Sequence, residues 1–398
     1  MDYSRWADVE LESLRREDRF RTLRSFDAFG PSGRLDGTRT GDGPVTSFAS
    51  NDYLGLSTHP RVMAAAHEAI DRWGTGSTAS RLVVGTRPAH VDLEARLAEW
   101  KHAEAAVVLP SGYAANLATI TALGGPDCLV VSDELNHASI IDGCRLSRSP
   151  IAVATHNDPD HVDSLLAASD APRSIVVTDA VFSMDGDEAP IAALAEVCAR
   201  HGALFVLDQA HAVLGPDIDA LRFTDGLDVV HVVTLSKALG SMGGAICAPR
   251  PLVELVVNRA RSLIFSTGLS PADAAAASAA LEVWQGPEGA ELVGHLRRLV
   301  ERVAPGHPSP IVPVIVGDEN VALGVSEQLL EVGILVPAIR PPTVAVGTSR
   351  LRVALSAAHT EVMVDELATT LESILAERGL GPAFPGAEPA GVPARTDG

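Results

Sequence analysis

No stretch of about 18 apolar residues occurs in this 398-residue chain, so no segment reads as a membrane-spanning helix. Cysteine is scarce as well. Cys128, Cys144, Cys198 and Cys247 are scattered, with neither a CxxC pair nor metal-ligand spacing, and three of them sit among apolar neighbours. Such thiols belong to a reduced core, and neither disulfides nor a metal site is expected. Positive charge is in short supply: 31 Lys and Arg against 51 Asp and Glu leave a net charge of -20. Phosphate backbones need a basic face, so nucleic acid is not an expected partner, although a local basic pocket could still take a small anion. The opening MDYSRWADVELESLRREDRF is acidic and charged, unlike a secretion signal or an acid-free presequence. A cytoplasmic protein without a membrane partner is expected.

What the chain does have is a well-buried composition, 46% hydrophobic and 21% charged, at a length that suggests about two domains. Residues 4–26 alternate charged and apolar positions at helical spacing, and GPSGRLDGTRTGDGP (30–44) reads as a glycine-rich connection. Short, continuously apolar runs then follow: AAVVL (105–109), CLVV (128–131), IAVA (151–154), SIVVT (174–178), LFVL (204–207), VVHVV (229–233) and GAICA (244–248). Separated mostly by helical stretches, they predict an α/β fold whose mainly parallel sheet is covered on both faces. After PADAAAASAALEVW (271–284) the order changes, with strands expected at 311–317, 333–339 and 349–356 in a smaller α+β unit. The expected divisions are an N-terminal helical segment at 1–45, a large domain at 46–265, a small domain at 266–378 and a disordered tail at 379–398.

One lysine stands out. In VTLSKALGSMGG (233–244), Lys237 follows a buried strand and is the only charged side chain apart from His231 between Val229 and Ala248. Lysines after strands are ordinarily surface residues. A desolvated one has a lowered pKa and becomes a nucleophile for carbonyl compounds. Pyridoxal phosphate (PLP) is such an aldehyde, and it needs a carboxylate at its ring nitrogen, a platform for the ring and donors for its phosphate. Asp208, at the end of LFVLDQAH, is placed for the first, where a helix N-cap is the plainer reading. His137 in LNHAS could stack on the ring. Ser111, Gly112 and Tyr113 lie between a strand and a helix start, with Thr234 and Ser236 adding hydroxyls just before the lysine. Ser183 and Asp185 occupy a turn in FSMDGD, and His211 closes DQAH.

Taken in order, SNDYLGL (50–56), GTGSTASRLVVGT (74–86), SGYAAN (111–116), LNHASIIDG (135–143), HNDPDHVDSLL (156–166), VFSMDGDEAPI (181–191), DQAH (208–211), TLSKALGSMGG (234–244) and AIRPPTVAVGTSRLRVALSAAH (338–359) closely resemble the α-oxoamine synthase family of fold-type I PLP enzymes. The resemblance covers residues 45–370. It implies a large domain with a seven-stranded sheet, a homodimer with sites at the subunit interface, and condensation of an amino acid with an acyl thioester carried on coenzyme A or acyl carrier protein. The run AIRPPTV followed by GTSRLR is most similar to the members that join L-alanine to a pimeloyl thioester in biotin biosynthesis. Glycine- or serine-using members are the alternative, and a catalytically inactive partner subunit would be expected to lack Lys237.

By motif, the resemblance makes Lys237 the Schiff-base lysine and general base, and Asp208 the partner of the ring nitrogen. His137 becomes the ring-stacking histidine, able to donate a proton to the thioester oxygen. His211 and Ser183 match positions near the ring hydroxyl, and Gly112, Tyr113 and Thr234 match cofactor anchors. Arg21 in FRTLR resembles an arginine that meets the acyl substrate. Arg350 and Arg352 alternate along one strand and share a face; one of them, Arg352 by preference, would clamp the amino-acid carboxylate as a bidentate fork. Ser77, Thr78 and Ala79 are small enough to line an acyl path. Three departures from the family pattern bear on acyl-substrate fit: Gln209 after the aspartate, the stretch 212–223 without its usual glycines, and Asp179 in place of a glutamate.

Overall fold

The structure, a computed structural model, describes residues 2–384 apart from 18, 38–42, 217, 219–220 and 222–223. It begins with helix α1 (Tyr3–Arg16) and the short strands β1 (Phe26–Ala28), β2 (Ser32–Leu35) and β3 (Val45–Ser47), followed by α2 (Pro60–Trp73) and α3 (Pro88–Trp100). Strands and helices then alternate: β4 (Ala105–Leu109), α4 (Gly112–Leu123), β5 (Cys128–Asp133), α5 (Ala138–Ser147), β6 (Ile151–Ala154), α6 (Pro159–Ala167), β7 (Arg173–Asp179), α7 (Ile191–His201) and β8 (Leu204–Asp208). Next come β9 (Val229–Thr234), β10 (Gly244–Ala248), α8 (Arg250–Arg259), α9 (Arg261–Ile264), α10 (Pro271–Gln285) and α11 (Pro287–Val303). The last part holds β11 (Ile311–Gly317), α12 (Glu319–Glu331), β12 (Ile334–Leu335), β13 (Ala338–Ile339), β14 (Ser349–Ala354) and α13 (Glu361–Glu377). Among the described residues no helix is long and apolar enough to cross a membrane.

All seven apolar runs form one sheet in the order β4-β10-β9-β8-β7-β5-β6, parallel except for β10, which is antiparallel to both its neighbours. Apolar side chains on both faces explain why the strands lack polar alternation. Val107, Leu109, Val130, Val206, Val230 and Ile246 pack under α4, α5 and α8, while Leu129, Val131, Val176, Phe205 and Leu207 meet α6 and α7. Each such fully buried side chain contributes about 1.5–3 kcal/mol. Helix α10 lies along α2 and α3 and also touches α11, bridging the expected large and small parts.

Three local expectations need correction. The helix expected over 4–26 stops at Arg16. None of its residues is buried, so no tertiary packing extends it past its C-cap at Glu17. The glycine-rich connection contains β2, which pairs with β1 and β3. The strand expected at 333–339 is split: β12 pairs parallel with β3, β13 pairs antiparallel with β14, and Pro337, which has no N–H, lies between them. Of the expected tail, Ala383 and Phe384 are buried in the core, and residues 385–398 lie outside the described residues.

Candidate active site

The C-terminal ends of β4, β7, β8 and β9 open on one cavity of about 240 Å³, lined by Ser111, Gly112, Asn116, His137, Asp208 and Lys237 among others. Parallel strands present their following loops at one edge, which is where α/β sheets form sites. The loop carrying Lys237 is tied back on itself: Leu235 donates its N–H to the Gly243 carbonyl at 2.9 Å, and Gly240 to the Lys237 carbonyl at 2.8 Å. Gly240 has φ of +59°, and a Cβ there would fall 2.3 Å from the Ser57 nitrogen. Only glycine allows the lysine loop to lie this close to residues 56–57.

Lys237 as a whole is partly buried, but its amine sits deep in the cavity, 2.6 Å from His211 Nε2. Burial pulls the pKa of the amine down to about 8, with Arg352 adding to the effect and Asp208 and Asp179 opposing it. Burial also drives His211 well below the ordinary imidazole range, with Lys237 and Arg352 contributing, so its ring is neutral. His211 Nδ1 lies 2.6 Å from the Tyr53 hydroxyl, which burial raises to about 12.

Asp208 is buried and held from two sides: Asn116 Nδ2 donates to Oδ2 at 2.6 Å, and the Ala210 N–H donates to Oδ1 at 2.9 Å. Asp179 is its register partner on β7. Burial first, and then the charge of Asp208, raises Asp179 well above the usual carboxylate range. Asp179 Oδ2 accepts from the His137 backbone N–H at 2.8 Å, which fixes the start of α5. The His137 ring is anchored by Ser139 Oγ at 2.7 Å, and burial lowers its pKa, leaving a neutral imidazole in the cavity wall.

Opposite, Ser111 caps α4 by accepting from the Ala114 N–H at 3.0 Å. The preceding N–H groups of Gly112 and Tyr113 are ones that a helix start leaves unpaired. A Cβ on Gly112 would lie 3.0 Å from Thr234 Oγ1, so this glycine keeps the helix start against the β9 end. Thr234 and Ser236 hydroxyls are 3.1 Å apart beside it. The donor set suits PLP: backbone N–H groups, hydroxyls and a helix dipole for a phosphate, a buried, hydrogen-bonded carboxyl group for a ring nitrogen, and an amine of low pKa for an aldehyde. The Tyr113 hydroxyl donates to the Asp142 carboxylate.

The two strand arginines are both buried but differ in their partners. Arg350 is ion-paired with Asp185 and donates to the Thr348 carbonyl at 3.0 Å. Arg352 donates to the Ser183 carbonyl at 2.5 Å and to Asn51 Oδ1 at 3.2 Å, and among the described residues no carboxylate pairs with it. Ser183 meets the site through that carbonyl. Arg21 is exposed in the irregular segment after α1 and is not among the cavity residues. Ser77 is buried, its hydroxyl donating to the Leu269 carbonyl at 2.5 Å. Gln209 Nε2 is 2.5 Å from His231 Nδ1 and faces away from the cavity lining. The stretch 212–223 lies partly outside the described residues. Asn51, Tyr53 and Asn116 were not singled out in the sequence; each lies in a motif noted there, and none carries a charge to mark it.

The aminotransferase class I and II family matches residues 43–371. Among curated proteins, the chain is 48% identical over 402 residues to the 8-amino-7-oxononanoate synthase of Anaeromyxobacter sp. (strain K), covering 96% of this chain and 97% of that one. It is 46% identical to the enzyme of the same name from Methylobacterium nodulans, over 86% of this chain and 91% of that one. Among solved structures it resembles the serine palmitoyltransferase of Sphingomonas wittichii, with 28% identity, a TM-score of 0.85 and coverage of 94% and 97%. A serine palmitoyltransferase from S. paucimobilis with bound PLP–myriocin aldimine matches at 27% identity and TM-score 0.85, over 94% of this chain and 97% of that one.

Proposed function

The chain belongs to the aminotransferase class I and II family, and from that premise we propose that it joins L-alanine to a pimeloyl thioester, on coenzyme A or acyl carrier protein, to give 8-amino-7-oxononanoate for biotin biosynthesis. It is a PLP-dependent acyl-transferring α-oxoamine synthase. The observation that carries the reading is the buried Lys237 amine, with a pKa of about 8, sharing one cavity with the Asp208 carboxylate.

In this reading Lys237 would bind the PLP aldehyde, Asp208 its ring nitrogen, His137 its ring face and His211 its hydroxyl side. Gly112, Tyr113, Thr234 and Ser236 would hold the phosphate. Bound there, PLP supplies an electron sink that stabilises negative charge at the amino-acid α-carbon. Arg352, without a carboxylate partner of its own, receives the substrate carboxylate. Lys237 Nζ takes the α-proton as general base; at pH 7.5 about a quarter of it is neutral, against about one in a thousand for an ordinary lysine. Asp208, held in place by Asn116 and the Ala210 N–H, would face the ring nitrogen and balance the developing charge. The attacked thioester loses its thiol, carbon dioxide leaves, and Lys237 returns a proton. His137, held by Ser139, is placed to serve the thioester oxygen.

The exposed apolar residues Leu82, Val83 and Val84, in a turn that contacts α9, and the exposed Phe265 directly after α9 support a homodimer in which a second copy covers this face. A cytoplasmic site of action fits such a biosynthetic role. The test is thiol release measured across acyl thioesters of different length with alanine fixed, together with borohydride trapping and mapping of the labelled peptide. Label anywhere but Lys237, or thiol release indifferent to the pimeloyl group, defeats the proposal. The likeness to serine palmitoyltransferases favours a second reading, a serine- or glycine-using synthase. α-Proton exchange confined to glycine or serine would select it.

A further inference from the structure

Tyr53 lines no part of the cavity, yet it is fully buried and its hydroxyl stands between two groups of the site. The oxygen is 2.6 Å from His211 Nδ1 and 3.0 Å from Asn51 Oδ1; His211 Nε2 is 2.6 Å from Lys237 Nζ, and Arg352 reaches Asn51 at 3.2 Å. The hydrogens along this chain can be assigned from its two ends. A guanidinium has only donors, so the Asn51 atom facing Arg352 is the amide oxygen. An ammonium also has only donors, so while Lys237 is protonated, His211 Nε2 must be bare. The neutral His211 ring then carries its hydrogen on Nδ1, whose acceptor is the Tyr53 oxygen. The Tyr53 hydrogen goes to Asn51 Oδ1, which accepts from both sides.

We propose that Tyr53 is a positioning residue that holds His211 in the Nδ1–H tautomer and so presents a bare Nε2 to the amine of Lys237. This deepens the reading of Lys237 as the proton-carrying amine and rests on it. A protonated lysine thereby finds an acceptor in a dry cavity without a second charge being placed beside it. When Lys237 gives up its proton, the neutral amine keeps two N–H groups and still donates to the bare Nε2, so His211 and Tyr53 keep their hydrogens where they are. Asn51 and Arg352 stay paired throughout.

The test uses full-length protein freed of cofactor and labelled with 15N histidine, observed near pH 7, below the Lys237 value of about 8. The wild-type protein is expected to show His211 protonated on Nδ1 and bare on Nε2. In Tyr53→Phe the ring is retained, but Nδ1–H loses its acceptor. The Nε2-protonated form should appear, and the pH at which Lys237 loses its proton, followed through the Nε2 signal, should fall by about one unit. Asn51→Ala keeps the tyrosine and frees its hydrogen to turn to Nδ1, so it should shift the tautomer in the same direction. A role in packing alone would lower Tm while the folded variants kept the wild-type tautomer. That result, or wild-type His211 protonated on Nε2 at this pH, overturns the proposal. Failure of the acyl-transfer assay leaves this readout untouched, so the two readings fail separately.

Discussion

Replacing Lys237 by methionine removes one amine while keeping an unbranched stem, and the effect on stability follows from the depressed pKa. In the unfolded chain the amine titrates at 10.5 and in the folded protein at about 8. At about 1.4 kcal/mol per pH unit, the difference corresponds to about 3 kcal/mol of desolvation penalty as an upper bound. The sign is fixed by linkage. Below pH 8 both states hold the proton, and the folded state bears the whole penalty. Between pH 8 and 10.5 the unfolded chain holds the proton that the folded one has released, so stability rises with pH; above 10.5 the penalty is gone. Chemical denaturation of the cofactor-free protein and of Lys237→Met should therefore be compared at several pH values from 7.5 to 10. The stability of the wild-type protein relative to the variant should climb by up to about 2.5 kcal/mol across that window. Titrations of groups that do not feel the Lys237 charge are common to both proteins and cancel in the difference; among those that do, His137 and His211 stay neutral across this range. Parallel stability curves would mean that the amine is not desolvated, and the basis for its nucleophilicity would be lost.

Other substitutions separate the roles of neighbouring residues. Arg352→Lys should raise KM for the amino acid about tenfold or more, because a point ammonium cannot replace the planar fork. Arg350→Lys, which weakens the Asp185 pair, should lower the denaturation midpoint while leaving that KM near its wild-type value. Gly240→Ala forces a Cβ to within 2.3 Å of the Ser57 nitrogen at φ of +59° and should cost about 2 kcal/mol or more, read from the denaturant midpoint. Burial acts to lower the pKa of His156, but its hydrogen bonds to Asp133 and Asp187 outweigh this and leave it raised above 6.5. Its clasp on the turn at 182–187 is then fully present below about pH 6.5 and is lost as pH climbs through the raised value. Hydrogen-exchange protection of that turn, corrected for the intrinsic exchange rate, should fall at alkaline pH, and in His156→Phe that fall should vanish.

The sheet was legible because its strands are buried on both faces, and a continuous apolar run such as LFVL needs no tertiary knowledge to be recognised. Lys237 and Asp208 were legible for the converse reason: a charge inside an apolar run must be offset by something. Neutral polar residues carry no such mark. Asn116 looks like one more helix residue until Asp208, 92 positions away, lies 2.6 Å from its amide. The choice between Arg350 and Arg352 depended on Asp185 from a distant turn, which pairs with the first and not the second. Helix α1 failed at its end, where spacing alone was asked to predict a length that packing normally decides.

The reversed direction of β10 governs when this protein acquires its chemistry. Its first residue, Gly244, sits between Leu109 of β4 and Thr234 of β9, and a side chain there would collide with Gly112 backbone atoms at 2.6 Å. Gly112 and Lys237, proposed above to hold the cofactor's phosphate and aldehyde, therefore come from segments more than 120 residues apart, brought together across one bare backbone position. A fragment ending before residue 244 lacks the strand that joins the two. If these residues hold the cofactor, its capture should follow the long-range pairing and so come late in folding.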